Sequence, residues 1–380
     1  MRKPYAAIIL AAGYSSRMGE FKPLLPFGGS TVIERVIGLF LDAGIDRVRV
    51  VTGHRSTELL PFMGGAGVRP VLNDRYQEGM FTSVLAGVKS LEEFRGAFFL
   101  LPVDIPLVRL QTIITLMAAY ESGSKNILYP SFNGRRGHPP LISTEFSGRI
   151  ASWKGEGGLN SFLAQYDSGA EEVEVTDKFI LEDMDRPEEY RRLLEMREDL
   201  GLPTFQECEM LLLNRFAADK PLLDHCRNVA RLALLLAREL NKAGCSLDQE
   251  LIAAASLLHD LAKGSVDHAA EGARIMTEIG YPSVAEIIAV HMDIGLPPDG
   301  PIGEGEVVYL ADKMMQGDRF ISLKERFAAR MNRHAADPDA CRAVAGRLKN
   351  ALLIRDRLEK RLGRSLDEIL PGNGFGSPDE

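Results

Sequence analysis

The stretch AAIILAAGYSSRMGEFKPLLPFGG, residues 6–29, joins an apolar run to a short loop of glycine, serine and cationic residues. The apolar run has the length and composition of a buried β-strand. Because the run ends in Ala-Ala-Gly, a ligand can approach the backbone with no side chain larger than a methyl group in its way. The stretch predicts a first strand that carries a ligand-binding loop at its carboxyl end.

Strand and helix patterns alternate from this stretch to about residue 190. The strand patterns are apolar runs bounded by turn residues: RVRVVTG, AFFLLPVD and NILYPSF. The helix patterns are the amphipathic stretches TSVLAGVKSLEEF (82–94) and TVIERVIGLFLDAG (31–44), in which Gly44 has the place of a C-cap. Strands that alternate with helices predict an α/β fold with a doubly wound, mostly parallel sheet of the Rossmann-like kind.

The strand signal nearly vanishes after LGLP (200–203). RNVARLALLLAREL places its apolar residues on one helical face, whereas QELIAAASLLHDLAKG (249–264) is apolar nearly all round and is expected to be the central helix of a bundle. We expect an α/β domain over residues 1–200, an all-α domain over 203–365 and a flexible tail over 366–380.

The composition is that of an ordinary globular protein, with 45% hydrophobic and 26% charged residues. A net charge of −8 argues against a general nucleic-acid or membrane binder, although it leaves room for a local cationic pocket. The four cysteines are widely spaced and form no CxxC pair, which is typical of reduced thiols. No signal-peptide or membrane-span pattern is present. We therefore expect a cytoplasmic protein with neither a nucleic acid nor a membrane as partner.

The loop after the first strand has the residues of a polyphosphate site. Ser15, Ser16 and backbone N–H groups can donate to phosphate oxygens, Arg17 offers a rigid fork of donors, and Lys22 offers a mobile charge. Ligands of α/β sheets bind at the carboxyl ends of strands, which is where this loop lies. The alternative is a solvated surface turn. The predicted nucleotide-binding residues are Leu10, Ala11, Ala12, Gly13, Ser15, Ser16, Arg17, Lys22 and Ser83, of which Arg17 and Lys22 are also the predicted catalytic residues.

Carboxylates further along the chain are candidates for a Mg²⁺ site. Asp104 ends a buried strand and can hold Mg²⁺ together with phosphates and waters, or it can cap a helix. Asp185 is the candidate for a second carboxylate; Asp183 is nearly equal to it, and both can cap the helix that begins at Pro187. Ser83 has two comparable interpretations, an anion ligand or an ordinary helix cap.

Five ordered motifs resemble those of the MobA-like nucleotidyltransferases, over about residues 5–190. They are LAAGYSSRMGEFK (10–22), NDRYQEGMFTSVLAGV (73–88), LLPVDIP (100–106), GRRGHPPLIS (134–143) and LEDMDRPEEY (181–190). In the last motif Arg186 replaces the family's threonine. The double alanine and the RGHP stretch look more like the branch that transfers cytidylyl to molybdenum cofactor than like the guanylyl branch.

This resemblance implies an enzyme that transfers CMP from CTP to molybdenum cofactor, a phosphorylated pterin. It implies Mg²⁺ held by Asp104 and Asp185, and an acceptor-binding loop of Gly137, His138 and Pro139; His138 can instead simply stack on Pro139. A molybdoenzyme or its chaperone is then a further candidate partner.

The histidines cluster in the second half of the chain. Four of the seven (His225, His259, His268 and His291) lie within residues 225–291, and Asp260 and Asp312 complete the set. Imidazoles and carboxylates that converge from several helices are typical ligands of a divalent metal. The alternative places His259 and Asp260 at an exposed helix end beside Lys263.

The spacing resembles that of the HD superfamily of metal-dependent phosphohydrolases, over about residues 203–330. The resemblance implies metal ligation by His225, the His259–Asp260 pair and Asp312, with His268 and His291 added as in branches that hold two metals. It implies one or two divalent transition metals such as Mn or Fe, and a hydroxide attack on a phosphoester or phosphoanhydride in which Lys263, the third predicted catalytic residue, steadies the developing charge.

The whole sequence thus predicts a two-domain enzyme, a nucleotidyltransferase followed by a phosphohydrolase. Three alternatives remain open. The first domain can serve a sugar phosphate or another phosphorylated metabolite, the HD domain can be a non-catalytic regulatory module that senses a nucleotide, and the chain can bind the cofactor as a scaffold without turnover.

Overall fold

The structure is a computed structural model that describes residues 4–197, 200–297, 300–317, 319–371 and 375. Two compact units divide the chain, Met1–Leu200 and Gly201–Glu380. None of the helices in the described ranges combines the length and the apolar character that crossing a bilayer requires.

The first unit is built on one mixed sheet. The strands of this sheet are β1 (Tyr5–Ala11), β4 (Val48–Thr52), β5 (Val68–Leu72), β6 (Ala97–Pro102), β7 (Ile127–Phe132), β8 (Arg135–Arg136), β9 (Leu141–Ser143) and β10 (Glu171–Glu174). Strands β2 (Pro26–Phe27) and β3 (Ser30–Thr31) form a separate hairpin. The strand order is β10-β7-β9-β6-β1-β4-β5, and β8 pairs with the edge of β7.

Strand β1 lies near the centre of this sheet. It pairs in parallel with both β4 and β6, and its residues after Tyr5 are buried, because helices cover both faces. Strand β9 is antiparallel to β6 and β7, whereas β4–β5 and β7–β10 are parallel pairs. The predicted α/β class with a mostly parallel sheet is confirmed.

In the described residues, seven α-helices accompany the sheet: α1 (Val32–Asp42), α2 (Ser56–Leu59), α3 (Met80–Lys89), α4 (Leu110–Ser122), α5 (Ser147–Ser152), α6 (Gly158–Ala164) and α7 (Pro187–Arg197). Helix α1 begins with a capping box in which Thr31 and Glu34 satisfy each other's backbone N–H groups. Gly44, at φ +77°, follows its end as the sequence predicts. One hydrophobic cluster includes α1 and α4, and the other includes α3 and α5, so the sheet separates two cores.

The second unit is helical apart from a short hairpin. Its elements are α8 (Phe205–Met210), α9 (Lys220–Lys242), α10 (Gln249–Leu258), α11 (His268–Glu278), α12 (Pro282–Val290), α13 (Glu304–Met314), β11 (Met315–Gln316), β12 (Arg319–Phe320), α14 (Leu323–Arg333), α15 (Pro338–Leu362) and α16 (Leu366–Ile369). The apolar helix predicted over 249–264 ends at Leu258, so that His259 and Asp260 follow its last turn. Helix α10 packs against α8, α9, α12 and α13, as expected for a central helix.

The flexible tail expected over 366–380 is wrong for its first part. Leu366, Ile369 and Leu370 are buried in the helical core, and so is Phe375, whose ring lies 6.3 Å from that of Phe320. Burial of these apolar side chains anchors the segment, a contribution that the polar composition around them hides. Residues 372–374 and 376–380 of the expected tail lie outside the described residues.

We expect Gly87→Ala to destabilise the chain because α3 lies very close to the sheet at this point. A Cβ at Gly87 would lie 2.5 Å from Ile8 Cγ2 and 3.1 Å from Val51 Cγ2, both buried. Overpacking of this kind costs about 1–3 kcal/mol. The matched control is Gly38→Ala in α1, where a Cβ meets nothing within 4 Å and the gain in helix propensity is about 0.5–1 kcal/mol. Urea denaturation checks the pair, and equal midpoints for the two variants would contradict the close packing.

Candidate active sites

The loop after β1 folds around Ser15, which has φ +57°. The backbone N–H groups of Met18 and Gly19 donate to the Ser15 carbonyl, and the Lys22 N–H donates to Ser15 Oγ at 3.0 Å. Ser16 is exposed. The Ser15 side chain therefore shapes the loop, while its hydroxyl hydrogen is left to donate to a ligand.

Lys22 joins two carboxylates at the carboxyl edge of the sheet. Its Nζ atom lies 2.9 Å from Asp104 Oδ2 and 2.6 Å from Asp185 Oδ1. Arg17 Nη1 lies 2.5 Å from the other oxygen of Asp185. Asp104 follows β6 and does not cap α4, whose N-cap residue is Arg109. The four side chains predicted for triphosphate and Mg²⁺ thus lie together.

The electrostatics distinguish Asp185 from Asp183. Hydrogen bonding and charge attraction from Lys22, with Arg17 adding to them, lower the pKa of Asp185 although burial opposes this. Burial and the neighbouring carboxylates of Asp185 and Asp104 instead raise the pKa of Asp183. Burial alone would lower the pKa of Lys22, but Asp104 and Asp185 outweigh it and raise this pKa. Asp185, which contacts both cations, is therefore favoured over Asp183 as the second carboxylate, and this role stays a prediction.

A cavity of about 760 Å³ opens beside these charges, and Leu10, Arg17, Asp104, Asp183 and Asp185 line one part of it. The cavity is also lined by side chains that are not among the predicted site residues: Tyr129, Arg135, Arg136, Leu159 and Asn160. The glycine run at 155–158 was the available signal for this wall, since Gly157 and Gly158 both line the cavity at positive φ. The cavity has room for a ligand larger than the triphosphate alone.

The RGHP loop contributes unequally to this cavity. Gly137 and His138 line it, whereas Pro139 is buried and Pro140 takes its place in the lining. Gly137 has a steric role besides, because a Cβ there would lie 2.5 Å from the Ile180 carbonyl oxygen. Burial lowers the pKa of His138, and its buried Nδ1 atom has no hydrogen-bond partner in the described residues.

Ser83 does not line the cavity. It is buried within α3, where its Oγ accepts a hydrogen bond from Asn73 Nδ2 at 2.9 Å. Met80, Phe81 and Val84 are the residues of α3 that line the cavity. Ser83 thus ties α3 to the residue that follows β5, and its predicted role as an anion ligand stays a prediction. Ala11 and Ala12 are buried beneath the loop, and Gly13 is exposed with open space beside it.

In the second unit, the Asp260 carboxylate lies between two groups of histidines. Its Oδ2 atom lies 3.9 Å from His225 Nε2 and 3.7 Å from His259 Nε2, while its Oδ1 atom lies 3.4 Å from His268 Nε2 and 3.6 Å from His291 Nε2. Asp312 Oδ1 joins the first group at 3.4 Å from His225 and 3.6 Å from His259. All six predicted ligands converge, with Asp260 shared.

The histidine rings are oriented by backbone carbonyls. His259 Nδ1 lies 2.8 Å from the Ser256 oxygen, and His291 Nδ1 lies 2.7 Å from the Ile288 oxygen. These contacts assign the N–H to Nδ1 and leave Nε2 as the acceptor atom that a metal requires. His259 Nε2 is buried without a hydrogen-bond partner in the described residues. A buried, unpaired imidazole nitrogen aimed at two carboxylates fits a divalent metal ion.

Two cations that the sequence reasoning missed hold Asp312. Lys313 is fully buried, and its Nζ atom donates to Asp312 Oδ2 at 2.6 Å and to the His291 carbonyl at 2.9 Å. Arg326 donates to the Asp312 carbonyl at 2.6 Å. Burial opposes ionisation of Asp312, but Lys313 and the histidines lower its pKa well below the ordinary range. Lys263, which was predicted, lies 2.7 Å from Asp260 Oδ2.

This sheet, with a charged loop and an open cavity at its carboxyl edge, defines the class of α/β nucleotide-binding enzymes, here joined to a helical unit with a metal-ligand cluster. Comparison with known proteins makes the assignment specific. The MobA-like NTP transferase domain matches residues 7–170, and the HD domain matches residues 222–315. The chain belongs to the MobA-like NTP transferase family and carries an HD domain after it.

Three relatives match the first unit almost over their full lengths. Purine catabolism protein PucB of Bacillus subtilis is 30% identical over 203 residues, which cover 50% of this chain and 96% of that protein. Nicotine blue oxidoreductase of Paenarthrobacter nicotinovorans is 29% identical, over 49% of this chain and 95% of that protein. Molybdenum cofactor cytidylyltransferase of Escherichia coli is 28% identical, over 48% of this chain and 92% of that protein. Because the matching family is that of an NTP transferase domain, the chain is an enzyme with nucleotidyltransferase activity, as predicted.

We expect the two halves of the histidine cluster to bind metal separably. His259→Ala should weaken Mn²⁺ binding by at least about 100-fold. Loss of a residue that only orients a metal ligand already lowers metal affinity by about 10- to 100-fold, and loss of the ligand itself lowers it at least as much. His268→Ala should remove one bound ion and leave the other, since the described contacts of its Nε2 atom are with Asp260 Oδ1 and His291 Nε2 in the second histidine group. Calorimetric titration of the metal-free chain with Mn²⁺ gives both the affinity and the number of bound ions. The control is His334→Ala, an exposed histidine outside the cluster; identical titrations for all three variants would contradict the assignment.

Proposed function

We propose that the first unit transfers CMP from CTP to molybdenum cofactor. The observation that carries this proposal is the position of Lys22 between Asp104 and Asp185, with Arg17 beside them, next to an open cavity that Arg17 and the two carboxylates line. Nucleotidyl transfer requires neutralisation of a triphosphate and in-line placement of an acceptor. The cluster supplies both signs of charge for the first requirement, and the cavity supplies space for the second.

The residues of the first unit have separate roles in this reaction. Asp104 and Asp185 would hold Mg²⁺, whose contribution when bound is to neutralise charge on the phosphates. Lys22 and Arg17 then donate to phosphate oxygens. A phosphate oxygen of the acceptor bonds to the α-phosphorus, the bond from that phosphorus to the bridging oxygen breaks, and pyrophosphate leaves with the electron pair. His138 and Gly137 line the part of the cavity that we assign to the acceptor.

The choice of acceptor and nucleotide is supported by the relative named molybdenum cofactor cytidylyltransferase, which matches the first unit over nearly its whole length. Another relative is named as an oxidoreductase. Two carboxylates around a lysine suit a cation-bound triphosphate, whereas hydride transfer has no step that requires them. The charge cluster therefore favours nucleotidyl transfer for this chain. A molybdoenzyme or its chaperone would receive the product.

We propose that the second unit is a metal-dependent phosphohydrolase. Asp260 and Asp312, with the Nε2 atoms of His225, His259, His268 and His291, would hold one or two divalent transition metals, which supply an activated water when bound. Lys263 lies beside Asp260 and lines the adjoining cavity, where it can donate to a phosphate. A regulatory unit that binds a nucleotide without turnover is the second candidate. The four cysteines are free, in keeping with the cytoplasm that we propose as its location.

Transfer of labelled CMP tests the first activity. The full chain is incubated with Mg²⁺, molybdenum-loaded molybdopterin and CTP labelled on the α-phosphate, with GTP, ATP and UTP labelled alike in parallel reactions. We expect label on the cofactor from CTP only. Lys22→Ala and Asp104→Ala should reduce the rate by at least about 100-fold, because each removes an electrostatic contact of the reacting phosphates.

Two controls accompany this assay. Lys89→Ala, an exposed lysine of α3, and His259→Ala in the second unit should both transfer at the rate of the unaltered chain. Label on a sugar phosphate but not on the cofactor would establish the alternative acceptor. Tight binding of the cofactor with no label from any nucleotide would indicate a scaffold and overturn the proposal.

A further inference from the structure

The cavity beside the histidine cluster has cationic walls. It has a volume of about 720 Å³ and opens next to four of the metal-ligand candidates, His225, Asp260, His268 and Asp312. Among the residues that the structure describes, three cationic side chains also line it: Lys263, Arg326 and Arg330. Helix α14, which carries both arginines, lies beyond residues 222–315, the part of the chain that matches the HD domain. The family resemblance therefore assigns these arginines no role.

Lys263 and Arg326 already have carboxylate partners. Lys263 Nζ lies 2.7 Å from Asp260 Oδ2, and Arg326 Nη2 lies 3.5 Å from Asp312 Oδ1. Both cations thus lie close to the position where the metal-ligand carboxylates face each other. A phosphoryl group bound at the cluster would have these two cations beside it.

Arg330 has no such partner. It lies one helical turn beyond Arg326 on α14, a rise of ~6 Å along the axis. Its guanidinium donates no hydrogen bond to any residue in the described part of the chain, and burial and the charge of Arg326 lower its pKa more than the charge of Asp312 raises it. A half-buried guanidinium among other cations is unfavourable unless an anion joins it. The position of Arg330 therefore indicates a second anionic group, one turn away from the first.

The charge balance of the cavity points the same way. Among the residues that the structure describes, three carboxylates line it, namely Asp219, Asp260 and Asp312, and Asp219 is already engaged as the N-cap of α9. Lys313 adds a fourth cation behind Asp312. Cations already match these carboxylates, so each divalent ion adds to an excess of positive charge. A diphosphate, with roughly twice the charge of one phosphoryl group, offsets this excess better than a monoester does.

We propose that this cavity binds a diphosphate, with one phosphoryl group at the Asp260–Asp312 cluster and the other on Arg326 and Arg330. The proposal rests on the function proposed for the second unit. The smallest ligand of this class is inorganic pyrophosphate, which is the leaving group of the nucleotidyl transfer proposed for the first unit. One chain would then contain both the reaction that releases pyrophosphate and a site that consumes it.

The reaction that follows is a hydrolysis with water as the only co-reactant. The water oxygen bonds to one phosphorus, the bond between that phosphorus and the bridging oxygen breaks, and the bridging oxygen keeps the electron pair. A proton from the water ends on the departing phosphate, so that two orthophosphates result. Removal of pyrophosphate in this way would draw nucleotidyl transfer forward by mass action.

Calorimetric binding of pyrophosphate and of orthophosphate tests the proposal. The protein is the full chain with Lys22→Ala, which weakens anion binding in the first cavity, and each titration is made with and without Mn²⁺. We expect pyrophosphate to bind at least about tenfold more tightly than orthophosphate, because a guanidinium adds charge-assisted hydrogen bonds to the second phosphoryl group. Arg330→Gln should abolish this preference and leave orthophosphate binding unchanged.

Two further variants make the result specific. Arg333→Gln removes the same charge from an exposed position of α14 and should keep the full preference. Arg330→Lys keeps the charge, loses the planar fork and should restore part of the preference. Equal affinities for the two anions, or equal losses for both anions in Arg330→Gln, would overturn the proposal.

Release of orthophosphate from pyrophosphate in the Mn²⁺-loaded chain separates this proposal from the function on which it rests. A preference for pyrophosphate that depends on Arg330, without any orthophosphate release, would support the ligand and refute the hydrolase. Orthophosphate release from a phosphomonoester, without a preference for pyrophosphate, would support the hydrolase and refute the ligand.

Discussion

The ammonium group of Lys22 lies between Asp104 and Asp185, although Asp104 is 82 residues and Asp185 is 163 residues away from Lys22 along the chain. The three side chains come from the loop after β1, the end of β6 and the segment before α7, so their contact ties together the carboxyl edge of the sheet. Burial acts to lower the pKa of Lys22, but the two carboxylates outweigh it and raise this pKa. A triphosphate with its divalent ion brings both signs of charge and can exchange with these partners.

The same constraint shapes the second unit, where Asp260 has the central position. Its two oxygens face two separate groups of histidines, and Asp312 adds a second negative charge in a fully buried place. Lys313 compensates that charge and also holds the carbonyl of His291, so one cation orients parts of both groups. Removing a single member would leave buried charge without compensation, which is costly. Stability and ligand geometry therefore depend on the same contacts.

Much of this could be predicted from the sequence because the signals are local. The apolar run before Gly13 predicts a buried strand, the alternation after it predicts the α/β class, and the histidine spacing predicts a metal-ligand cluster; the fold class and both family assignments are confirmed. The roles of the individual residues stay predictions.

The remaining features depend on packing between distant segments, which local patterns do not reveal. Strand β9 has three residues and no periodicity, and Ser83 is buried, where it accepts a hydrogen bond from Asn73 in the loop after β5. Lys313 reads as a surface lysine at the end of a helix, and only the packing of α13 encloses it. Phe375 lies in a polar segment and is anchored by the helical core.

The central claim is that Asp104 and Asp185 exchange Lys22 for a divalent cation when a nucleotide binds. Anomalous diffraction from crystals of the full chain grown with CTP and Mn²⁺ tests it directly. The account predicts a manganese peak between the carboxylates of Asp104 and Asp185, with the Lys22 ammonium moved onto the phosphates. A manganese peak on Asp183 without Asp185, or Lys22 still between the two carboxylates with the nucleotide bound, would contradict it.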